Sequence, residues 1–339
     1  MRSYLIYGFL LLWPFLVIFI FHSFWLKQKF LVNILAYLPI AIFASLRGYA
    51  GTDTENYRIA YDYIGQVGDI TVGVDFGFTA LMLLASNLGL SFQGFSALQA
   101  GLCLFLYCLA GARLDRTEPL FSIGILPVYL LDSTFNGVRY GLAFALAAFL
   151  VAYVYERRKK FSGVLLIAPA LIHSSLAPIA MLSPIVLGLS AVGAYFVGIE
   201  YTLAQFFIGK FDSYSSIYRP SVYSGLVPLL QAFVLLHLAY FKKSGLKIGY
   251  NLFTLSIIIT FGGYIVSLYT YAGLRLLLLG AFLLGISVAM SIESKDSPKK
   301  YIILLYTIAV LNFMRQIFLV GPAGGVLFHP YDFYFEGIF

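Results

Sequence analysis

Apolar runs of about 20 residues follow one another along the chain with only short polar connectors, each long enough for a helix to cross a hydrocarbon core of about 30 Å. The pattern predicts an all-α polytopic membrane protein. The first run, 4–24, ends in bulky His22-Ser23-Phe24-Trp25 without a small-residue cleavage site, so it is expected to stay as an anchor. Lys27 and Lys29 follow at once. Because basic loops stay cytoplasmic, they put the start of the chain outside, and the second span, 30–46, returns to the outer face. A polar stretch, 47–75, comes next with several tyrosines and five Asp/Glu, and parity makes it an outer loop.

Further basic clusters, Arg113/Arg116, Arg157 to Lys160, Lys242-Lys243/Lys247 and Lys295 with Lys299-Lys300, are expected inside. That requires an odd number of crossings between 75 and 113, where two apolar pieces occur. The first, 75–90, is short and carries Ser86 and Asn87, so it is expected as an interfacial or half-membrane helix. Full crossings follow at 94–112, 119–131, 137–155 and 161–178, with 132–136 as a tight outer loop. The stretch 180–199, with Pro184, Gly188 and Gly193, suits a second broken or re-entrant element. After an outer loop at 200–224, spans at 223–241, 249–270, 272–291 and 300–320 leave an outer tail, 321–339. The expectation is a single membrane domain, 1–339, with about 10 full transmembrane helices plus two partial or re-entrant ones. If both partial pieces cross, the count rises to about 12 and Arg157 to Lys160 face outward, against the charge rule.

Composition agrees: 61% hydrophobic, 11% charged and a mean hydropathy of +0.90 exclude a water-soluble domain, where about 25% of residues are charged. The net charge of +7 sits in short loops, so it reports orientation and contact with membrane lipids, not nucleic acid. Cys103 and Cys108 share one apolar run without a CxxC spacing or nearby histidines and read as core.

The unusual polar groups gather in the outer half: Arg47, Asp53, Glu55, Tyr57, Arg58, Asp132, Asn136, Arg139, His173, Arg219, Arg275, His329 and Asp332. Arg47, Arg139 and Arg275 lie at or within apolar helices, where a charge costs about 2.5 to 3.5 kcal/mol. Snorkelling, or an ion pair with Asp53 or Asp132, would satisfy any one of them. Three at one depth favour an anionic ligand, and guanidinium binds phosphate bidentately, which suits a pyrophosphate at the membrane surface. His173, in Pro169-Ala-Leu-Ile-His-Ser-Ser-Leu, is either a general base for a sugar hydroxyl or a buried imidazole held by a carbonyl, Ser174 or Ser175. Asp53 is the competing base. Tyr57, Tyr61, Tyr63, Tyr201, Tyr214, Tyr218 and Tyr223 can stack on sugar rings or join the interfacial aromatic belt. A Walker A loop, a GxGxxG turn and a DxD-like metal-nucleotide motif are all missing, so no cofactor and no metal are expected, and a donor would be lipid-borne.

Four motifs occur in order: Arg47-Gly-Tyr-Ala-Gly-Thr-Asp53-Thr-Glu-Asn-Tyr57, Asp75-Phe-Gly-Phe78, Asn136-Gly-Val-Arg139-Tyr-Gly-Leu-Ala143 and His173-Ser-Ser175. Together they resemble the EpsG/Wzy family of bacterial O-antigen, capsular and exopolysaccharide polymerases. The likeness is clearest over 40–180 and looser beyond, through Arg275 and His329-Pro330-Tyr331. Departures are a longer gap before Gly-Thr-Asp, Asp75 where Glu is usual and Tyr140 where Gln is usual. The resemblance implies a GT-C-like glycosyltransferase of the bacterial inner membrane, working at the periplasmic face on undecaprenyl-pyrophosphate-linked repeat units. It implies that Arg47, Arg139 and Arg275 bind pyrophosphate, that Asp53, Tyr57 and His173 activate or contact the acceptor, and that Asn136 belongs to the same site. A flippase and a chain-length regulator would be its partners. The rival readings are a flippase or transporter of the same lipid-linked sugars, an O-antigen ligase and a membrane acyltransferase.

Overall fold

The computed structural model describes residues 2–48, 50, 53–68, 75–115, 118–157, 160–180, 182, 223–242, 250–292 and 299–318. Among these every element is helical. The chain opens with α1 (Arg2–Ile20), a short α2 (His22–Trp25) and α3 (Lys29–Ser45), and continues with α4 (Thr54–Val67), α5 (Phe76–Asn87) and α6 (Phe92–Leu114). A π-helical turn, Leu120–Ile125, leads into α7 (Leu126–Phe135), and α8 (Val138–Arg157) follows. Beyond α9 (Ala168–Ile172) and α10 (Ala177–Ala180) come α11 (Leu226–Lys242), α12 (Tyr250–Ser267), α13 (Tyr271–Ser291) and α14 (Lys299–Phe318).

Phe92–Leu114, Val138–Tyr155 and Tyr271–Ser291 are long and apolar enough to cross a membrane, and Leu5–Ile20, Lys29–Ser45, Phe76–Asn87, Leu226–Tyr240 and Asn251–Ser267 are shorter apolar helices. The described residues are all-helical, and the chain is a membrane protein. At 12 residues α5 spans about 18 Å, too short for a hydrocarbon core of about 30 Å. Most of the 180–199 element, most of the 200–224 loop, the tail 321–339 and the residues Tyr201, Tyr214, Tyr218, Arg219, His329 and Asp332 lie outside the described residues.

Two expectations change in detail. The run 161–178 is not one helix but four short pieces: a 3₁₀ segment Lys160–Ile167, α9, a 3₁₀ turn Ser174–Leu176 and α10. Pro169 and Pro178 cannot donate to a continuing helix, and His173 between them is extended at φ −151°, ψ 118°. The tight loop expected at 132–136 is instead the last turn of α7, which runs on through Asp132 to Phe135.

Helix α13 is the centre of the bundle, buried without interruption from Leu279 to Met290, as a helix apolar all round must be. It pairs with α12 through glycines: a Cβ at Gly280 would stand 2.4 Å from the Thr260 backbone nitrogen, and one at Gly273 2.1 Å from that of Ser267. Small residues of this kind let membrane helices approach backbone to backbone. Gly280→Ala is therefore expected to lower the melting temperature of the solubilised protein, since overpacking costs about 1 to 3 kcal/mol. Gly101→Ala, at a helix glycine with open space around it, is expected to leave the melting curve in place or raise it.

A buried polar network closes one end of the bundle. The Asp115 carboxylate accepts the backbone N–H groups of Phe121 and Ser122 at 2.7 and 2.8 Å, and Lys29 donates to the Asp115 carbonyl at 2.6 Å. Trp25 donates to Asn33 at 3.0 Å, and Asn33 donates to Ser122 at 3.1 Å. The helix ends carrying the predicted site residues meet at the other end.

Candidate functional site

The corner between α7 and α8 is the base of the site. The backbone N–H groups of Asn136 and Gly137 both donate to the Asp132 carbonyl, at 3.0 and 2.9 Å. A Cβ at Gly141 would sit 2.3 Å from the Cα of Ser133, so only glycine lets the two helices fold this tightly. The corner turns three polar side chains together: Asn136 donates to Asp132 Oδ1 at 3.3 Å, and the Tyr140 hydroxyl donates to Asp132 Oδ2.

Arg139, in the first turn of α8, pairs with Asp75, which stands just before α5. Its Nη1 lies 3.0 Å from Asp75 Oδ2, with the Asp75 side chain 5% exposed and that of Arg139 21%. Burial therefore removes most water from the carboxylate while the guanidinium keeps a wet edge. The second Asp75 oxygen accepts the backbone N–H of Ser174 at 3.1 Å. One carboxylate thus ties α8 to the turn that carries His173. Arg139 is paired with Asp75 and not with Asp53 or Asp132, the two partners considered for it from sequence.

His173 is buried, at 4% exposure. Its Nδ1 lies 2.6 Å from Ser175 Oγ and accepts the Ser175 backbone N–H at 3.2 Å, and its ring meets Tyr140 edge to face at 6.3 Å. Arg275 enters from the N-terminal part of α13, its guanidinium 5.9 Å from the centroid of Tyr140 and 5.3 Å from that of Tyr271. Asp53 and Tyr57 come from the start of α4, where the Tyr57 N–H donates to the Asp53 carbonyl at 3.0 Å. Tyr57 packs edge-on against Phe78 at 5.9 Å. Burial pushes the Asp53 carboxyl above its ordinary range, and the nearby Arg275 and Arg139 guanidiniums pull it back only in part. Burial raises the Tyr57 phenol in the same way.

Asp53, Tyr57, Asn136, Arg139, His173 and Arg275 therefore form one cluster, linked through Asp75, Asp132 and Tyr140. Arg47 stands one step away. It is 2% exposed, its guanidinium donates to the Thr134 carbonyl and lies 5.8 Å from the centroid of Phe135, so it holds the last turn of α7. Of the linking residues, Asp75 and Tyr140 had a signal in the motifs, and Asp132 had one as a carboxylate in an apolar run. Among the described residues no group of three or more His, Cys, Asp or Glu is placed to hold a metal ion.

Two guanidiniums, a partly desolvated carboxylate and an imidazole set against Tyr140 can bind an anionic group and take a proton from a hydroxyl beside it. Asp75→Asn keeps an acceptor for Ser174 but removes the charge facing Arg139. About a tenfold loss of activity is expected, because a hydrogen bond to a charged group is worth about 1.5 to 3 kcal/mol and this one is partly wet. The test is a rate measurement beside Asp75→Glu, which restores the charge.

No curated protein and no solved structure matches the chain. A family model does: the one described as the EpsG family matches residues 29–333, which include every member of the cluster. With most of its length under that match, the chain belongs to the EpsG family.

Proposed function

We propose that this protein is a polysaccharide polymerase that moves a glycan from one undecaprenyl-pyrophosphate carrier onto the next lipid-linked repeat unit. Membership in the EpsG family brings a polysaccharide-polymerase-like function. The donor, the sidedness and the residue roles are the part proposed. The single observation that carries them is the convergence of Arg139 and Arg275, from α8 and α13, beside the half-buried carboxylate of Asp53.

In the reaction an acceptor hydroxyl oxygen attacks the anomeric carbon of the donor. The bond from that carbon to the pyrophosphate oxygen breaks, and its electron pair leaves with the carrier diphosphate. Arg139 and Arg275 meet the charge that grows there, as preorganised donors do in other sites of developing negative charge. The acceptor proton passes to a base in the cluster, Asp53 or His173, while Asn136 and Tyr57 offer hydrogen bonds to sugar hydroxyls. Lys29 and Arg113 lie at helix ends opposite the cluster, which supports a cluster facing the periplasm across about ten spans, with the basic loops in the cytoplasm. A flippase would deliver the substrate and a chain-length regulator would set the extent of growth.

Purified protein in proteoliposomes, supplied with a polyprenyl-pyrophosphate oligosaccharide, tests the proposal. It should yield a ladder of longer lipid-linked chains and release polyprenyl pyrophosphate in equal amount. Movement of the oligosaccharide across the bilayer with no longer product would make the protein a transporter and end the proposal.

A further inference from the structure

We infer that His173 serves as a hydrogen-bond donor through Nε2 and that Asp53 takes the acceptor proton. This rests on the polymerase reading and decides between the two bases that reading leaves open. A backbone amide nitrogen can only donate, so the contact of 3.2 Å from the Ser175 N–H requires a lone pair on His173 Nδ1. A neutral imidazole has one protonated nitrogen and one bare nitrogen. With Nδ1 bare, the proton sits on Nε2, and the ring has no basic nitrogen left to turn toward a substrate. The Ser175 hydroxyl, 2.6 Å from Nδ1, can supply a second hydrogen to the same lone pair.

The turn leaves little room for the other tautomer. A proton on Nδ1 would face the Ser175 N–H, donor against donor. A rotation of the ring is opposed by its burial and would give up both Ser175 contacts, while the backbone of the turn is held by the His173 N–H donating to the Pro169 carbonyl at 2.9 Å and the His173 carbonyl accepting from Leu176 at 3.0 Å. Asp75 fastens the next residue, Ser174, at 3.1 Å and Arg139 at 3.0 Å, so the imidazole and the guanidinium share one support. An Nε2–H carried on that shared support suits an oxygen of the leaving diphosphate. The proton stays on Nε2 throughout. The proton released by the acceptor hydroxyl goes to the Asp53 carboxylate, and the electron pair of the broken carbon–oxygen bond goes to the diphosphate, so charge and atoms balance.

Two measurements test this. In chain extension from a polyprenyl-pyrophosphate oligosaccharide, His173→Gln supplies an amide N–H near the place of Nε2–H but cannot act as a base. It should stay within about tenfold of the wild type, while His173→Ala should fall about a hundredfold, as when an oxyanion donor is lost. Equal loss in both variants overturns the donor role. The tautomer is read separately from the ¹⁵N spectrum of histidine-labelled protein, where bare and protonated ring nitrogens resonate far apart. The chain has four histidines, and the spectrum of His173→Gln identifies the signal. A bare Nδ1 and a protonated Nε2 are expected, and a bare Nε2 would sink the inference whatever the activity. Failure of the wild type to extend any chain would instead bring down the polymerase reading, and the spectrum would still report the tautomer.

Discussion

Replacing Asp53 with Asn should slow chain extension by about 10² to 10⁴, the span that general acid–base catalysis contributes, while the protein melts no lower than the wild type. Both halves follow from the same burial. A carboxylate accepts a proton only when ionised, and burial holds this one above the ordinary range near 4 despite Arg275 and Arg139. Tyr57, Tyr271 and Asp132 are the other titratable groups that feel its charge. Activity should therefore fall as pH drops through the raised value, with an acid limb above the ordinary carboxylate range that vanishes in Asp53→Asn. Stability runs the other way. A carboxyl whose folded pKa is raised contributes fully below its unfolded pKa, and that contribution is lost as pH rises through the folded value. At neutral pH the ionised group opposes folding, and the neutral amide removes the opposition. A rate profile and a melting curve at several pH values check the pair of claims. Asparagine at wild-type rate would remove Asp53 from the chemistry.

Arg275→Ala should lower turnover by about 10² to 10³, as when an oxyanion donor is lost, and cells relying on this protein should carry single-repeat surface glycan instead of a ladder. Arg275→Lys should recover only part of the rate, since an ammonium lacks the planar fork that grips a diphosphate. Arg139→Ala should be as inactive but should also melt lower, because it strands the buried Asp75 carboxylate. Adding Asp75→Asn to Arg139→Ala should restore the melting temperature and leave the activity low. A persistent ladder in both single variants would show that neither guanidinium handles the leaving group.

Helix positions were legible because hydrocarbon length and apolarity decide them together. The runs at 30–46, 94–112, 137–155 and 272–291 become Lys29–Ser45, Phe92–Leu114, Val138–Arg157 and Tyr271–Ser291. The run at 161–178 misled because its hydropathy outweighed Pro169 and Pro178, whose missing N–H groups break it around His173. Within the polar stretch 47–75, α4 was marked only by Tyr57, Tyr61 and Ile64, at helical spacing on its inner face. The grouping of Arg139 and Arg275 at one end could be read from depth alone. Their partners could not, because Asp75 meets Arg139 and Ser174 across 64 and 99 positions of chain, distances at which only the fold decides who touches whom.

The cluster draws Asp53 and Tyr57 from an early helix and Arg275 from one of the last, and the innermost helix, α13, brings that final residue in. A growing polypeptide emerging from the ribosome therefore passes most of its synthesis without a working centre. A chain halted before α13 would hold the cluster with one of its cations missing. Competence would come late and all at once, when the glycine-lined hairpin of α12 and α13 closes.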